Sequence, residues 1–131
     1  MNYEKWRSLM IVQLPLGSKV YVSGPITGQL DNNRKAFNDT ARALKAMGYK
    51  AINPIALDKL TRKKMEWSDY LRRDIPHLLK CDGVVFLKGW ETSRGARLEW
   101  RIALDLGLII YFWEWRHNTN DKFGKSTNTC S

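Results

Sequence analysis

"GVVFLKGWETSRGARLEWRIALDLGLIIYFW", Gly83 to Trp113, holds the pattern that decides the architecture. It opens on a continuous apolar run, Gly83 to Leu87, which predicts a buried central strand. It closes on a second such run, "LIIYFW", which predicts another. Between them, Thr92 to Gly107 keeps the spacing of an amphipathic helix capped by Thr92 or Ser93. At 100° per residue, Arg94, Arg97, Arg101 and Asp105 share one stripe, with Ala96, Ile102, Ala103 and Leu106 opposite. Glu99 falls between Ala103 and Leu106, inside the apolar face. A carboxylate there loses hydration and needs compensation.

The same alternation extends towards the N-terminus. "KVYVS", Lys19 to Ser23, predicts a strand that ends in the turn Gly24-Pro25. Asp31, Asn32 and Asn33 offer caps for a helix carrying Phe37, Ala41, Leu44 and Met47, with Gly48 as its stop. "YKAIN", Tyr49 to Asn53, predicts a second strand, closed by Pro54. Ser68 offers a cap for a helix beginning "DYLRRD", and Pro76 either kinks it or divides it. There is no internal repeat. Strands alternating with helices imply a small doubly wound α/β fold, Rossmann-like or flavodoxin-like. Its three-layer sandwich would hold a mainly parallel sheet of four to five strands. The domain spans residues 19–113, between an N-terminal extension, 1–18, and a polar C-terminal tail, 114–131.

Composition narrows the function classes. A chain of 131 residues with 44% hydrophobic residues supports one domain with a real core. No run is long enough to span a membrane. "KWRSLMIVQLPLG" begins basic and turns apolar, but Gln13 and Pro15 interrupt it and no small-residue cleavage pattern follows. Cys81 and Cys130 suggest no disulfide framework, and an intracellular, cytoplasmic setting is expected. His77 and His117 lack ligand-like spacing, so neither a metal nor another cofactor is implied. The formal charge of +9 points to an anionic partner or simply to solubility. The run Arg62, Lys63, Lys64 reads as a solvated loop.

Ligands on doubly wound sheets bind beyond the carboxyl ends of the strands. The loops "SGPITG", "NPIALD" and "KGWETSRG" would therefore line one cleft, and Glu99 would point into it from the helix that starts there.

"YVSGPITG", "YLRRDIPHLLKCD" and "GWETSRGARLEWRIALDLG" together resemble the nucleoside 2-deoxyribosyltransferase superfamily, which includes 2′-deoxynucleoside 5′-monophosphate N-glycosidases. The likeness covers roughly Lys19 to Ile110 and is closer to an uncharacterised branch common in phages and prophages. It implies cleavage or transfer of the base of a nucleoside or nucleotide. The nucleophilic glutamate of that superfamily follows a serine by six residues and a glycine by four, which here gives Glu99, Ser93 and Gly95. A carboxylate eight residues before the aspartate that opens the third strand corresponds to Asp74, with Asp82. The aromatic residue before the first glycine turn corresponds to Tyr21. Where the monophosphate enzymes carry a phosphate-binding serine and arginine, this chain has Pro25 and Thr27. Arg94 and Arg97 are the candidates to replace the missing charge. The resemblance further implies a homo-oligomer, a dimer or larger even assembly, with sites completed by a neighbouring subunit. The usual fifth strand is not evident after Trp113, and the N-terminal segment, Met1 to Ser18, is a candidate substitute.

Such chemistry asks for a carboxylate at the sugar C1′ and an acid for the departing base. Glu99 takes the first role, Asp74 the sugar or the proton, and Tyr21 holds the carboxylate. Ser23, Gly24, Pro25, Thr27, Gly28, Asn53, Trp90, Ser93, Arg94, Gly95 and Arg97 complete the expected substrate and phosphate contacts. Each has a plainer reading. Glu99 would be a buried, satisfied residue, Asp74 a helix N-cap before Ile75-Pro76, and Ser93 a cap alone. Trp90 would cover the sheet edge, and Gly24 and Gly95 would serve tight backbone geometry. Two further functions compete: a non-catalytic nucleotide sensor, suggested by Pro25 and Thr27, and a basic nucleic-acid module, suggested by the charge and six tryptophans.

Overall fold

The computed structural model describes residues 14–57 and 64–113. The elements in chain order are β1 (Lys19–Ser23), α1 (Arg34–Ala46), β2 (Lys50–Ile52), a single turn α2 (Pro54–Leu57), α3 (Trp67–Leu79), β3 (Gly83–Phe86), α4 (Arg94–Leu106) and β4 (Ile109–Phe112). The strands lie in the order β2-β1-β3-β4 and every pairing is parallel. Tyr21 stands opposite Ile52 on one side and Val84 on the other, which fixes the register at the centre.

Strand alternation sends successive side chains to opposite faces. Val20, Val22 and Val85 join Phe37 and Leu44 of α1 in one core cluster. Tyr21, Val84 and Phe86 join Leu78 of α3 and Ala103 of α4 in the other. The result is a three-layer α/β sandwich of the small flavodoxin-like kind, with α1 on one face and α3 and α4 on the other. Among the described residues the sheet has four strands, and no helix is long and apolar enough to cross a membrane.

Several local expectations change. Glu66, not Ser68, caps α3: it accepts from the Asp69 backbone, while the Asp69 side chain accepts from the Glu66 N–H at 3.0 Å. This reciprocal box satisfies two amides that a lone serine would leave as one. Pro76 lies inside α3 without dividing it. The carbonyl four residues earlier belongs to Arg72, which is exposed, so water can replace the lost bond. Asp74 is consequently mid-helix and not an N-cap. Asn33 precedes α1 but makes no side-chain cap; its amide donates instead to the Pro25 carbonyl at 2.9 Å. Asp31, Asn32 and Asn33 all have positive φ, between 50° and 61°, a conformation that Asp and Asn tolerate best among non-glycine residues.

Leu14 is buried against the first cluster, and its carbonyl accepts from Tyr49 Oη at 2.7 Å. Residues 1–13 of the N-terminal extension, the tail from 114, His117, Cys130, Arg62 and Lys63 lie outside the described residues.

Candidate active site

Strand order reverses between β1 and β3, because α1 leads one way from β1 and α3 leads back past it. The crevice beyond their carboxyl ends is the expected ligand position in such a sheet. A cleft of about 640 Å³ lies there. Its walls come from the loop after β1 (Gly24 to Thr27), the start of α4 (Thr92 to Ala96) and one face of α3.

Gly24 allows the loop to turn: a Cβ there would sit 2.8 Å from Leu87 Cβ, the root of a buried side chain. Ser93 caps α4, accepting from Ala96 N at 3.1 Å, and Thr92 Oγ1 donates to the Gly89 carbonyl at 2.7 Å. These contacts set the angle at which α4 enters, and Glu99 follows on the inner face little more than a turn later.

Glu99 is 9% exposed and lines the cleft. Tyr21 Oη donates to its Oε2 at 2.7 Å, and Ser23 Oγ donates to its Oε1 at 2.6 Å. Tyr21 and Ser23 are two apart on β1, so both project to the same side of the sheet. Each carboxylate oxygen therefore has a hydroxyl donor that answers part of the lost hydration. Burial still dominates. It pushes the Glu99 carboxyl from 4.5 up to about 7, with Asp74 raising it further, while the Ser23 and Tyr21 hydrogen bonds hold it down. Burial also raises the Tyr21 hydroxyl well above its ordinary value, with Glu99 and Asp74 adding to the effect.

Asp74 and Arg73 reach the cleft from α3. Arg73 Nε donates to Asp74 Oδ1 at 2.6 Å and Nη2 to Oδ2 at 3.2 Å. Trp67 and Tyr70 lie on the same helix face, and the Arg94 guanidinium stacks 4.1 Å from the centre of a Trp67 ring. Two aromatic side chains and a buried carboxylate thus line one cleft.

The cleft brings together Tyr21, Ser23, Gly24, Pro25, Thr27, Asp74, Ser93, Arg94, Gly95 and Glu99. Other expected contacts fall elsewhere. Trp90 packs on Phe86, Phe112 and Trp100, with ring centres 5.1–5.7 Å apart, and covers the sheet rather than the cleft. Arg97 Nη1 donates to the Glu91 carbonyl at 3.0 Å and does not line the cleft. Asn53 is occupied by Asn38 Oδ1, at 2.8 Å, and by the Ile55 amide, at 3.0 Å, so the loop after β2 contributes only Pro54. Gly28, at φ +83°, serves the loop backbone outside the cleft. Gly95 is not forced by crowding, since a Cβ there would meet Trp67 at an ordinary 3.7 Å.

Ser23, expected among the substrate contacts, lines the cleft with its hydroxyl donated to Glu99. The cleft also takes in Asn32, Trp67, Tyr70 and Arg73, which are not among the contacts expected from the sequence. The signal was available for α3: Trp67, Tyr70, Leu71 and Asp74 follow the i, i+3, i+4, i+7 spacing of one helix face.

Fold and site together define a small parallel α/β domain whose switch-point cleft carries a buried, doubly hydrogen-bonded glutamate. The chain belongs to the family described as a domain of unknown function, DUF4406, which matches residues 18–112. No curated protein matches it.

Proposed function

We propose that the protein cleaves the N-glycosidic bond of a nucleoside or nucleotide, or transfers the base, with Glu99 as the carboxylate that meets C1′. The observation that carries this reading is Glu99 itself, buried on the cleft floor with both oxygens held by Tyr21 and Ser23. The motif resemblance to nucleoside 2-deoxyribosyltransferases and monophosphate N-glycosidases supports the same role.

In the reaction, a Glu99 oxygen bonds to C1′ as the C1′–N bond breaks. The electron pair leaves on the base nitrogen, which takes a proton. Water then attacks C1′, releasing the sugar and restoring the carboxylate; a second base in place of water completes a transfer. The carboxylate keeps lone pairs beside its two hydroxyl donors, so those bonds orient it without consuming its reactivity. Trp67 and Tyr70 provide a stacking wall for the base. Ser93, Arg94 and the free amides opening α4 are the position for phosphate, if the substrate carries one.

A second reading, a nucleotide sensor without turnover, is favoured by one observation. Pro25 and Thr27 line the cleft where the monophosphate enzymes carry phosphate-holding side chains. Incubation with a panel of nucleosides, mono- and diphosphates and NAD, with free base followed by chromatography, separates the two. Base release that disappears in Glu99→Gln supports the enzyme. Saturable binding with no base released would establish the sensor instead.

A further inference from the structure

The reaction above leaves one half-buried cation of the cleft unused. The side chains of Arg73 and Asp74 are 16% and 13% exposed. The guanidinium spans both Asp74 oxygens and lies 5.2 Å from the centre of the Tyr70 ring. Its Nη1 also faces Met65 Sδ at 3.8 Å. Neighbours in a helix point about 100° apart, so a clamp between residues i and i+1 is not a product of helix geometry. Arg73 folds back along α3 to make it, inside a cleft that already holds a second carboxylate.

Like charges in one partly dehydrated site raise each other's energy unless a cation stands between them. The groups facing Glu99 from β1 are the hydroxyls of Tyr21 and Ser23. Those from α3 are Asp74, Arg73 and Tyr70, while Arg94 of its own helix is turned onto Trp67. The loop after β1 and α1 contribute only uncharged lining residues: Pro25, Ile26, Thr27, Asn32 and Phe37.

We propose that Arg73 is a positioning residue of this site: it grips both oxygens of Asp74, fixes that carboxylate as a hydrogen-bond acceptor for the substrate, and supplies the positive charge that lets Asp74 and Glu99 occupy one cleft as anions. The proposal rests on the reading of Glu99 given above. It assigns Asp74 to orienting a substrate hydroxyl, and the departing base takes its proton from water in the open cleft. Asp74 raises the Glu99 carboxyl, and the Arg73 charge is already felt at the Tyr21 hydroxyl bonded to it.

The test is a ¹³C carboxyl NMR titration of Glu99 in the full chain without substrate, with thermal melts on each sample. In Arg73→Met, Glu99 is expected to titrate higher than in wild type by about half a pH unit or more, because Asp74 loses its counter-charge. In Asp74→Asn it should move lower by a similar, roughly half-unit, amount. Arg73→Lys keeps the charge but not the two-pronged grip. It should titrate near wild type while KM for the active panel substrate rises several-fold, on the order expected for losing one charged hydrogen bond. A folded Arg73→Met with an unmoved Glu99 titration overturns the proposal. If that variant does not fold, an unmoved titration in Asp74→Asn overturns it equally. Because the titration needs no turnover, a wild type that releases no base defeats the enzymatic reading while leaving the Arg73 coupling to be decided by NMR.

Discussion

In the proposed reaction, Glu99 is the residue at which stability and chemistry oppose each other. Its carboxyl sits at about 7 in the folded chain against an ordinary 4.5. A raised carboxyl means that the folded state holds its proton more tightly than the unfolded one. That contribution to stability is complete below 4.5 and is lost as pH rises to about 7. Glu99→Gln mimics the protonated form. Its advantage in thermal or denaturant melts should be absent below 4.5, grow with pH, and level off above about 7. The gap corresponds to roughly 3 kcal/mol, and an imperfect amide fit to the Tyr21 and Ser23 hydroxyls reduces the visible gain to about 1–2 kcal/mol. Base release should move the other way, falling by about two to four powers of ten, or roughly 3–5 kcal/mol of transition-state stabilisation. In wild type its acidic limb should bend near the same pH of about 7. A folded Glu99→Gln with full turnover would remove the nucleophile assignment. Half of this arrangement is legible in the sequence: helical phasing alone puts a carboxylate on an apolar face. That Ser23 answers it is not legible, because the contact joins residues 76 apart through sheet and helix packing.

At the scale of elements, the loop after β1 and the start of α4 carry separate predictions. Gly24→Ala places a methyl 2.8 Å from the Leu87 Cβ, which cannot swing away as a side-chain tip would. The variant should lose about 1–3 kcal/mol in denaturant unfolding, the usual cost of overpacking. A stability within a few tenths of a kcal/mol of wild type would show that the two strand ends can part freely. Ser93→Ala removes the cap of α4 and should cost about 1 kcal/mol. Combined with Arg94→Ala it should weaken monophosphate affinity by roughly tenfold or more in calorimetry, from the loss of charge-assisted contacts. Unchanged affinity would move the phosphate elsewhere in the cleft. Arg97 is left out of this test because the Glu91 carbonyl engages it. The sequence places Arg94 and Arg97 on one stripe, but only the packed helix decides which guanidinium turns inward.

For the whole molecule, the prediction concerns association. The superfamily resemblance implies sites completed by a neighbour, and α4 exposes Leu98, Leu104 and Leu106 while β4 exposes Phe112. An assembly of identical chains would cover such apolar area. Light scattering at micromolar concentration should give at least a dimeric mass; a monomeric mass would oppose this expectation. The helix phasing alone predicted Leu106 to be buried, yet it is 50% exposed. The inward face of α4 is narrower than its apolar arc, spanning Ala96, Glu99 and Ala103.

Strand and helix alternation, the central apolar runs and the misplaced glutamate were written in the sequence, because each depends on the period of a local backbone conformation. The chain by itself thus determined the α/β class and the helix that bears Glu99. Tertiary structure decided which neighbours meet that carboxylate. β1 brings the Tyr21 and Ser23 hydroxyls to it, while α3 adds Arg73, Asp74, Trp67 and Tyr70 to the same cleft. It also decided what stays out: Trp90 on the sheet, and Asn53 in its own loop. The physical reason is range. Periodicity is local, whereas the charge and hydration of a buried carboxylate depend on groups that only parallel strand pairing and helix crossover bring within hydrogen-bond distance.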